Sequence, residues 1–128
     1  MGIKKKAAAS IVWFDIPADD PERAEAFYGK LFGWKIGAIP GLTDYSHIDT
    51  GGPGASPDGG LMKRQHPSHT ITNYIGVPSV TEFMAEVEKL GGSICRPKTA
   101  VPRVGYFAIC QDTENNTFAL WEMNPEAK

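Results

Sequence analysis

At 128 residues, the chain has the length of one domain and can bury about two thirds of the surface that its unfolded form exposes. Its 13 basic and 15 acidic residues give a net charge of −2, which excludes the broad basic surface that nucleic-acid binding requires. A hydrophobic content of 41 %, with no apolar run of membrane-spanning length, is typical of a globular protein that does not enter the membrane.

The N-terminal segment MGIKKKAAAS combines a basic stretch with small residues, but Asp15 interrupts the apolar run that follows it. A secretory signal needs an apolar segment ahead of its cleavage site. We therefore expect a short flexible tail that leads into the first strand, and a cytoplasmic protein. Cys95 and Cys110 are too far apart for a C-x-x-C pair, so we expect two reduced, buried thiols.

The first predicted strand covers residues 11–16, and its alternation separates two faces, one with Val12, Phe14 and Ile16 and the other with Ile11, Trp13 and Asp15. Asp20-Pro21 predicts the start of a helix and Gly33 its end. The predicted buried stripe of this helix is Ala24, Phe27, Tyr28 and Leu31. Short strands are predicted at residues 34–36, 45–49 and 60–64, with a mobile loop rich in Gly and Pro at residues 51–59.

The same plan returns 59 positions later, where Ala24 matches Phe83 and Gly33 matches Gly92. This second unit has a predicted strand at residues 70–77, a capping box at Ser79 and Glu82, a helix stripe and three further strands. The stripe is Phe83, Val87 and Leu90, and the strands cover residues 93–95, 106–110 and 118–122.

We therefore predict an α+β fold in a single domain over residues 1–128. Two βαβββ repeats, at about residues 10–64 and 70–123 with a linker at 65–69, form a concave mixed sheet with the helices on the outside. A ligand is expected on the concave surface that the two repeats enclose.

The segments Ile16–Ala24 (IPADDPERA), Phe27-Tyr28, Leu31–Trp34 (LFGW) and Gly91-Gly92, and Asp112-Thr113 before a terminal apolar strand, resemble the vicinal oxygen chelate superfamily. This superfamily includes glyoxalase I, bleomycin-resistance proteins and extradiol dioxygenases. The resemblance covers about residues 11–123 and implies the fold given above and a homodimer. It does not select one function, because this scaffold serves isomerases, dioxygenases, thiol transferases and drug-binding proteins.

Enzymes of this superfamily hold a divalent metal with His, Gln or Glu at four strand positions. The resemblance places these positions at Trp13, near Gly60, at Thr72 and at Ala119. None of these side chains is a usual metal ligand, since indole has no available lone pair, glycine and alanine have no donor, and threonine is a weak one. We therefore expect neither a metal site nor another cofactor.

Strand alternation predicts that the concave face is an aromatic cup with one carboxylate, formed by Trp13, Asp15, Thr72, Tyr74, Ala119, Trp121 and Met123. In this hypothesis Trp13 and Trp121 clamp a flat or apolar ligand. The alternative is that the two indoles fill the space that the metal occupied in other members.

The predicted catalytic residues are Asp15, as a general base in an apolar cup, and His47, as a proton carrier. The alternatives are a salt bridge of Asp15 with Arg64 or Arg103, and a purely structural His47. The complete set of predicted ligand-binding residues is Trp13, Tyr45, Met62, Arg64, Thr72, Tyr74, Arg103, Tyr106 and Trp121.

The sequence therefore predicts a small-molecule binding protein, or a metal-independent enzyme, of the glyoxalase-like group. One alternative is a divalent-metal lyase or dioxygenase whose relocated ligands come from Asp15, His47, Asp49 and Glu122. The other is a resistance protein that sequesters a drug by binding alone.

Overall fold

The computed structural model describes residues 9–53 and 57–128. The described residues divide into two compact units, residues 12–72 and residues 73–128 together with residues 9–11. We call them the N-terminal half and the C-terminal half. The predicted tail at residues 1–8, and residues 54–56 of the predicted mobile loop, lie outside the described residues.

The N-terminal half contains β1 (Ile11–Ala18), α1 (Pro21–Phe32), β2 (Lys35–Ala38), β3 (Tyr45–Asp49) and β4 (Asp58–Lys63). Its strands lie in the order β2-β3-β4-β1, with β1 parallel to β4 and the other pairs antiparallel. Helix α1 begins where the Asp20 side chain accepts a hydrogen bond from the Arg23 N–H, and it ends at Gly33, whose φ is 74°. Both helix boundaries were predicted from the sequence.

The core of this half lies between the sheet and α1 and contains Ile16, Ala18, Ile48 and Leu61. The predicted helix stripe was partly wrong, because Phe27 and Leu31 remain 59 % and 57 % exposed. Only Ala24 and Tyr28 of that stripe pack on the core. Trp34, which follows the helix, stacks on Tyr28 with ring centroids 5.3 Å apart and packs on the same core. The Trp34 indole, which lies outside the helix, is therefore part of the core, whereas Phe27 and Leu31 of the helix are not.

The C-terminal half contains β5 (Thr72–Gly76), α2 (Val80–Lys89), β6 (Ser93–Val101), β7 (Gly105–Gln111) and β8 (Thr117–Met123). Its strands lie in the order β5-β8-β7-β6, with β5 parallel to β8. Ser79 caps α2 by accepting the Glu82 N–H, as the capping box predicted. The predicted α+β class and the repeated βαβββ order are confirmed.

Three expectations for the C-terminal half need correction. Leu90 is 71 % exposed because it lies at the C-terminal end of α2, while Met84 packs on the core instead. Strand β6 extends to Val101, well past the predicted end at Cys95, with two register shifts along its length. Cys95 is exposed on this strand, whereas Cys110 is buried as predicted.

Among residues 9–53 and 57–128, no helix is long and apolar enough to cross a membrane.

Candidate functional site

The N-terminal half has one sheet face against α1 and an opposite face, which we call the helix-free face. In the parallel pairing of β1 with β4, Trp13 lies beside Asp58 and Asp15 beside Gly60. In the antiparallel pairing of β3 with β4, His47 lies opposite Gly60. Because side chains alternate along a strand, the helix-free face carries Trp13, Asp15, Tyr45, His47, Asp58, Gly60 and Met62.

Trp13, Asp15 and Tyr45 form a hydrogen-bonded cluster on this face. The Tyr45 hydroxyl donates to Asp15 Oδ1 at 2.5 Å. The indole Nε1–H of Trp13 donates to the Tyr45 hydroxyl oxygen at 2.9 Å and also lies 3.2 Å from Asp15 Oδ1. Asp15 is only 5 % exposed, so its carboxylate is held by neighbouring donors rather than by solvent.

Gly60 makes room for this cluster. A Cβ atom at position 60 would lie 2.1 Å from the Tyr45 hydroxyl oxygen and 2.8 Å from Asp15 Oδ1. Tyr45 stands opposite Met62 in the β3–β4 ladder and reaches diagonally to Gly60, as a long aromatic side chain can. Any larger residue at position 60 is therefore incompatible with Tyr45 in its present place.

The environment of Tyr45 raises the pKa of its phenol well above the usual value. Burial is the main cause, and the negative charge of Asp15 and the hydrogen bond to Asp15 raise this pKa further, whereas the bond from Trp13 lowers it. Tyr45 therefore remains a hydrogen-bond donor to Asp15 across the physiological pH range.

We predict that Tyr45 does not ionise in the folded protein at pH values where ordinary tyrosines do, near pH 10. Its contribution to stability is complete below the pKa of the unfolded tyrosine and is lost as the pH rises above it, because the folded state retains the proton. Absorbance at 295 nm between pH 9 and about 11 should give equal tyrosinate signals for the wild type and for Tyr45→Phe. A folded wild type that shows one additional ionising tyrosine would contradict this prediction.

His47 lies next to the cluster and pairs with an acidic side chain that the sequence analysis missed. His47 Nε2 lies 3.1 Å from Asp58 Oδ2, and the imidazole stacks on the Trp13 indole with centroids 5.7 Å apart. The backbone N–H of Thr50 donates to Asp58 Oδ1 at 3.2 Å and helps to orient the carboxylate. Both side chains of the pair are partly exposed, so a ligand on this face can reach the imidazole.

Asp58 was missed because the loop signals of residues 51–59 overlap the first residues of β4, which begins at Asp58 rather than at Gly60. Strand alternation could have identified Asp58, since residues 58, 60 and 62 lie on the same face of the strand.

Arg64 lies just beyond β4. The sequence analysis considered Asp15 as its partner, but its side chain binds Asp19 and His69. Its Nε donates to Asp19 Oδ1 at 2.9 Å, and its Nη1 donates to the carbonyl oxygen of His69. The ion pair considered between Asp15 and Arg64 is therefore replaced by one between Asp19 and Arg64.

In the C-terminal half, the strand pairings place Tyr74 beside Ala119, and Phe107 opposite Trp121. These side chains share the sheet face opposite α2. The Arg96 guanidinium lies 5.3 Å from the centre of the Phe107 ring, and sequence reasoning identified neither residue. Trp13 and Trp121 belong to different halves, and the hypothesis that they clamp one ligand stays a prediction.

Three other predicted ligand-binding residues, Tyr106, Arg103 and Thr72, either lie away from these two sheet faces or are hydrogen-bonded to a neighbouring residue. Tyr106 packs on the core beneath α2, and the ammonium of Lys98 lies 4.4 Å from its ring centre. Arg103 is in the β6–β7 turn with φ 65° and is exposed. Thr72 is buried, and its hydroxyl donates to the Thr70 carbonyl. We leave Tyr106 and Arg103 out of the candidate site for this reason.

The residues at the superfamily's metal positions do not fit a metal. Gly60 is covered by Tyr45, and the Trp13 indole nitrogen is a donor within the cluster. Of the relocated ligands considered, Asp49 accepts the Gly51 N–H and Glu122 accepts the Val80 N–H. Within residues 9–53 and 57–128, no three His, Cys, Asp or Glu residues are grouped so that they can hold a metal ion.

Comparison with known proteins identifies related sequences and folds. Residues 10–51 match the family model described as bleomycin resistance protein-like N-terminal. A glyoxylase-like domain-containing protein of Didymella fabae is 35 % identical over 112 residues, covering 83 % of this chain and 88 % of that protein.

Two solved structures share the fold at low sequence identity. A glyoxalase/bleomycin resistance protein/dioxygenase superfamily member from Vibrio splendidus 12B01 aligns with a TM-score of 0.68 at 11 % identity, over 91 % of this chain and 100 % of that chain. Methylmalonyl-CoA epimerase from Mycobacterium tuberculosis aligns with a TM-score of 0.66 at 12 % identity, over 96 % of this chain and 94 % of that chain.

Proposed function

The chain belongs to the glyoxalase and bleomycin-resistance family of the vicinal oxygen chelate superfamily, and we propose that it binds an organic small molecule without a metal ion. The binding surface in this proposal is the helix-free face of the N-terminal half. Membership in this family supports a role in binding or converting small molecules, and the local geometry supports the more specific proposal.

The observation that carries the proposal is the cluster of Trp13, Asp15 and Tyr45 over Gly60. A tyrosine hydroxyl fills the space that a side chain at position 60 would need, and both Tyr45 and Trp13 donate hydrogen bonds to the buried Asp15 carboxylate. Hydrogen bonds hold the rings of Trp13, Tyr45 and His47 in place. The stacked Trp13 indole and His47 imidazole then provide an aromatic surface for a ligand. A flat, largely apolar molecule is therefore the ligand class proposed for this face.

A second candidate function is metal-independent proton transfer by His47. When Nε2–H donates to Asp58, the lone pair on Nδ1 can accept a proton from a bound ligand. Deuterium uptake from D2O into a carbonyl compound bound to the wild type, and its loss in His47→Gln with binding retained, would support this second function. The burial of Asp15 and its hydrogen bonds favour a positioning role for that residue over the base role first considered.

The proposed function predicts ligand binding that survives a chelator and depends on the Trp13 ring. Isothermal titration calorimetry with a panel of neutral aromatic probes, such as indole and 2-naphthol, should give the same dissociation constant before and after treatment with EDTA. Trp13→Ala should weaken binding by about fivefold or more, which is about 1 kcal/mol, because it removes the central aromatic surface.

Phe27→Ala is the matched control, since it removes an exposed aromatic ring from α1 on the other side of the sheet. It should leave the dissociation constant unchanged. Binding that disappears with EDTA, or about one equivalent of bound divalent metal after dialysis against a weak chelator, would contradict the proposal. The expected homodimer and cytoplasmic location stay predictions.

A further inference from the structure

The N-terminal half has an open cleft of about 620 Å³ at the end of β4, apart from the cluster around Trp13. It is lined by Asp19, Arg64, Gln65, His66 and Pro67. The segment that follows β4 folds back in a turn, where the His69 N–H donates to the His66 carbonyl at 2.9 Å. Basic side chains from the end of a strand and from one short turn are thereby brought together.

Arg64 lines this cleft and makes hydrogen bonds through both its backbone and its side chain. Its backbone N–H donates to the Ala18 carbonyl at 2.9 Å, and its side chain binds both Asp19 and the His69 carbonyl. These contacts engage Nε and Nη1, and the guanidinium group has further N–H donors beyond them. The Asp19 side chain is 75 % exposed, so this ion pair is largely solvated and can be exchanged for another anion.

His69 adds a donor with a defined tautomer. Its Nδ1 accepts the backbone N–H of Gln65 at 3.1 Å, so the neutral ring carries its proton on Nε2. The His66 ring stacks on His69 with centroids 5.4 Å apart, and its Nδ1 lies 3.1 Å from Ser68 Oγ. A neutral His69 is therefore a hydrogen-bond donor at Nε2, a property that suits an anion and not a metal ion.

The charges around His69 disfavour its protonated form. Burial lowers the pKa of the imidazole, and the charges of His66 and Arg64 lower it further, whereas the Asp15 carboxylate raises it. Asp19, the other carboxylate here, is paired with Arg64. A proton added at Nδ1 would also face the Gln65 N–H that this nitrogen now accepts, so the neutral ring with its Nε2–H donor is the form that the structure favours.

We infer that this cleft binds the oxyanion group of a small molecule, with Arg64 as its main partner and Asp19 as the carboxylate that the anion displaces. Sulfate, phosphate and carboxylate groups share the chemistry required, which is a negative charge with several acceptor oxygens.

Sulfate is the probe, because its charge is constant between pH 5.5 and 8.0. Titration of the wild type with sodium sulfate at fixed ionic strength, at pH 5.5 and at pH 8.0, should shift the NMR signals of the Arg64 Nε–H and of the His69 ring saturably and give one dissociation constant at each pH. Parallel titrations with inorganic phosphate and benzoate at pH 5.5 separate tetrahedral anions from carboxylates as the group bound at Arg64.

Four variants test the assigned roles. Arg64→Gln should weaken sulfate binding about tenfold or more at both pH values, and Asp19→Asn should strengthen it because the competing carboxylate is removed. His69→Gln should weaken sulfate binding less than Arg64→Gln does, because it changes a neutral donor and removes no charge. Lys63→Gln is the matched control, since it removes one positive charge from the exposed residue next to Arg64 and should leave binding unchanged.

The proposal is overturned if Arg64→Gln, shown to be folded by its thermal unfolding, binds sulfate as tightly as the wild type. It is equally overturned if Lys63→Gln weakens binding as much as Arg64→Gln, because the effect is then one of net charge. Neither result affects the binding proposed at Trp13, which is measured with neutral probes.

Discussion

Leu61→Ala should lower the free energy of unfolding by about 2–5 kcal/mol. Leu61 is 2 % exposed in the middle of β4 and belongs to the core beneath α1. Its removal takes away the transfer free energy of the side chain and leaves a cavity that the sheet cannot easily close. Urea denaturation followed by circular dichroism measures the change.

Leu31→Ala is the matched comparison, because it makes the same chemical change on a helix residue that is 57 % exposed. It should alter the free energy of unfolding by less than about 0.5 kcal/mol, as a surface substitution does. If the two variants were equally destabilised, α1 would bury the face predicted from its sequence stripe rather than the face that the structure shows.

Gly60→Ala should destabilise the protein by about 1–3 kcal/mol, because its new methyl group would overlap the Tyr45 hydroxyl. Tyr45 cannot simply move away, since its hydroxyl is bound to both Asp15 and Trp13. The clash also predicts strong coupling between positions 45 and 60. In a Tyr45→Ala background, the additional change Gly60→Ala should cost much less, and the difference is measured by a double-mutant cycle in urea.

Additive effects of the two substitutions in this cycle would mean that Tyr45 does not occupy the space above Gly60. Gly37→Ala controls for the loss of a strand glycine, because a Cβ at position 37 meets no atom within 4 Å. It should change the free energy of unfolding far less than Gly60→Ala does.

Several features of the fold follow directly from local sequence. The helix boundaries at Asp20 and Gly33 and the cap at Ser79 depend on residues within one turn, so sequence suffices to predict them. Alternation along β1 correctly separated Trp13 and Asp15 from the core residues Phe14 and Ile16, because a strand has a strict period of two.

Other features depend on contacts between distant segments, which local patterns do not encode. The reach of Tyr45 over Gly60 requires the register of β3 on β4, and the pairing of His47 with Asp58 requires that β4 begin within a loop-like sequence. Phe27 and Leu31 are exposed, and the core beneath α1 contains Trp34, which lies beyond the helix and which a stripe counted along the helix does not include. The sequence therefore predicted Trp13 and Asp15, the site residues on β1, but it did not predict Asp58.

The most direct test of the metal-free binding site is the NMR signal of the Trp13 indole N–H, which donates to Tyr45 at the centre of the cluster. The chain has 3 tryptophans, whose indole signals are assigned by single Trp→Phe variants. In EDTA-treated protein, titration with a bound aromatic probe should shift the Trp13 signal saturably, while the Trp34 signal, from the core beneath α1, stays in place. A Trp13 signal that moves only after a divalent metal is added, or that does not respond to a probe which calorimetry shows to bind, would contradict the account.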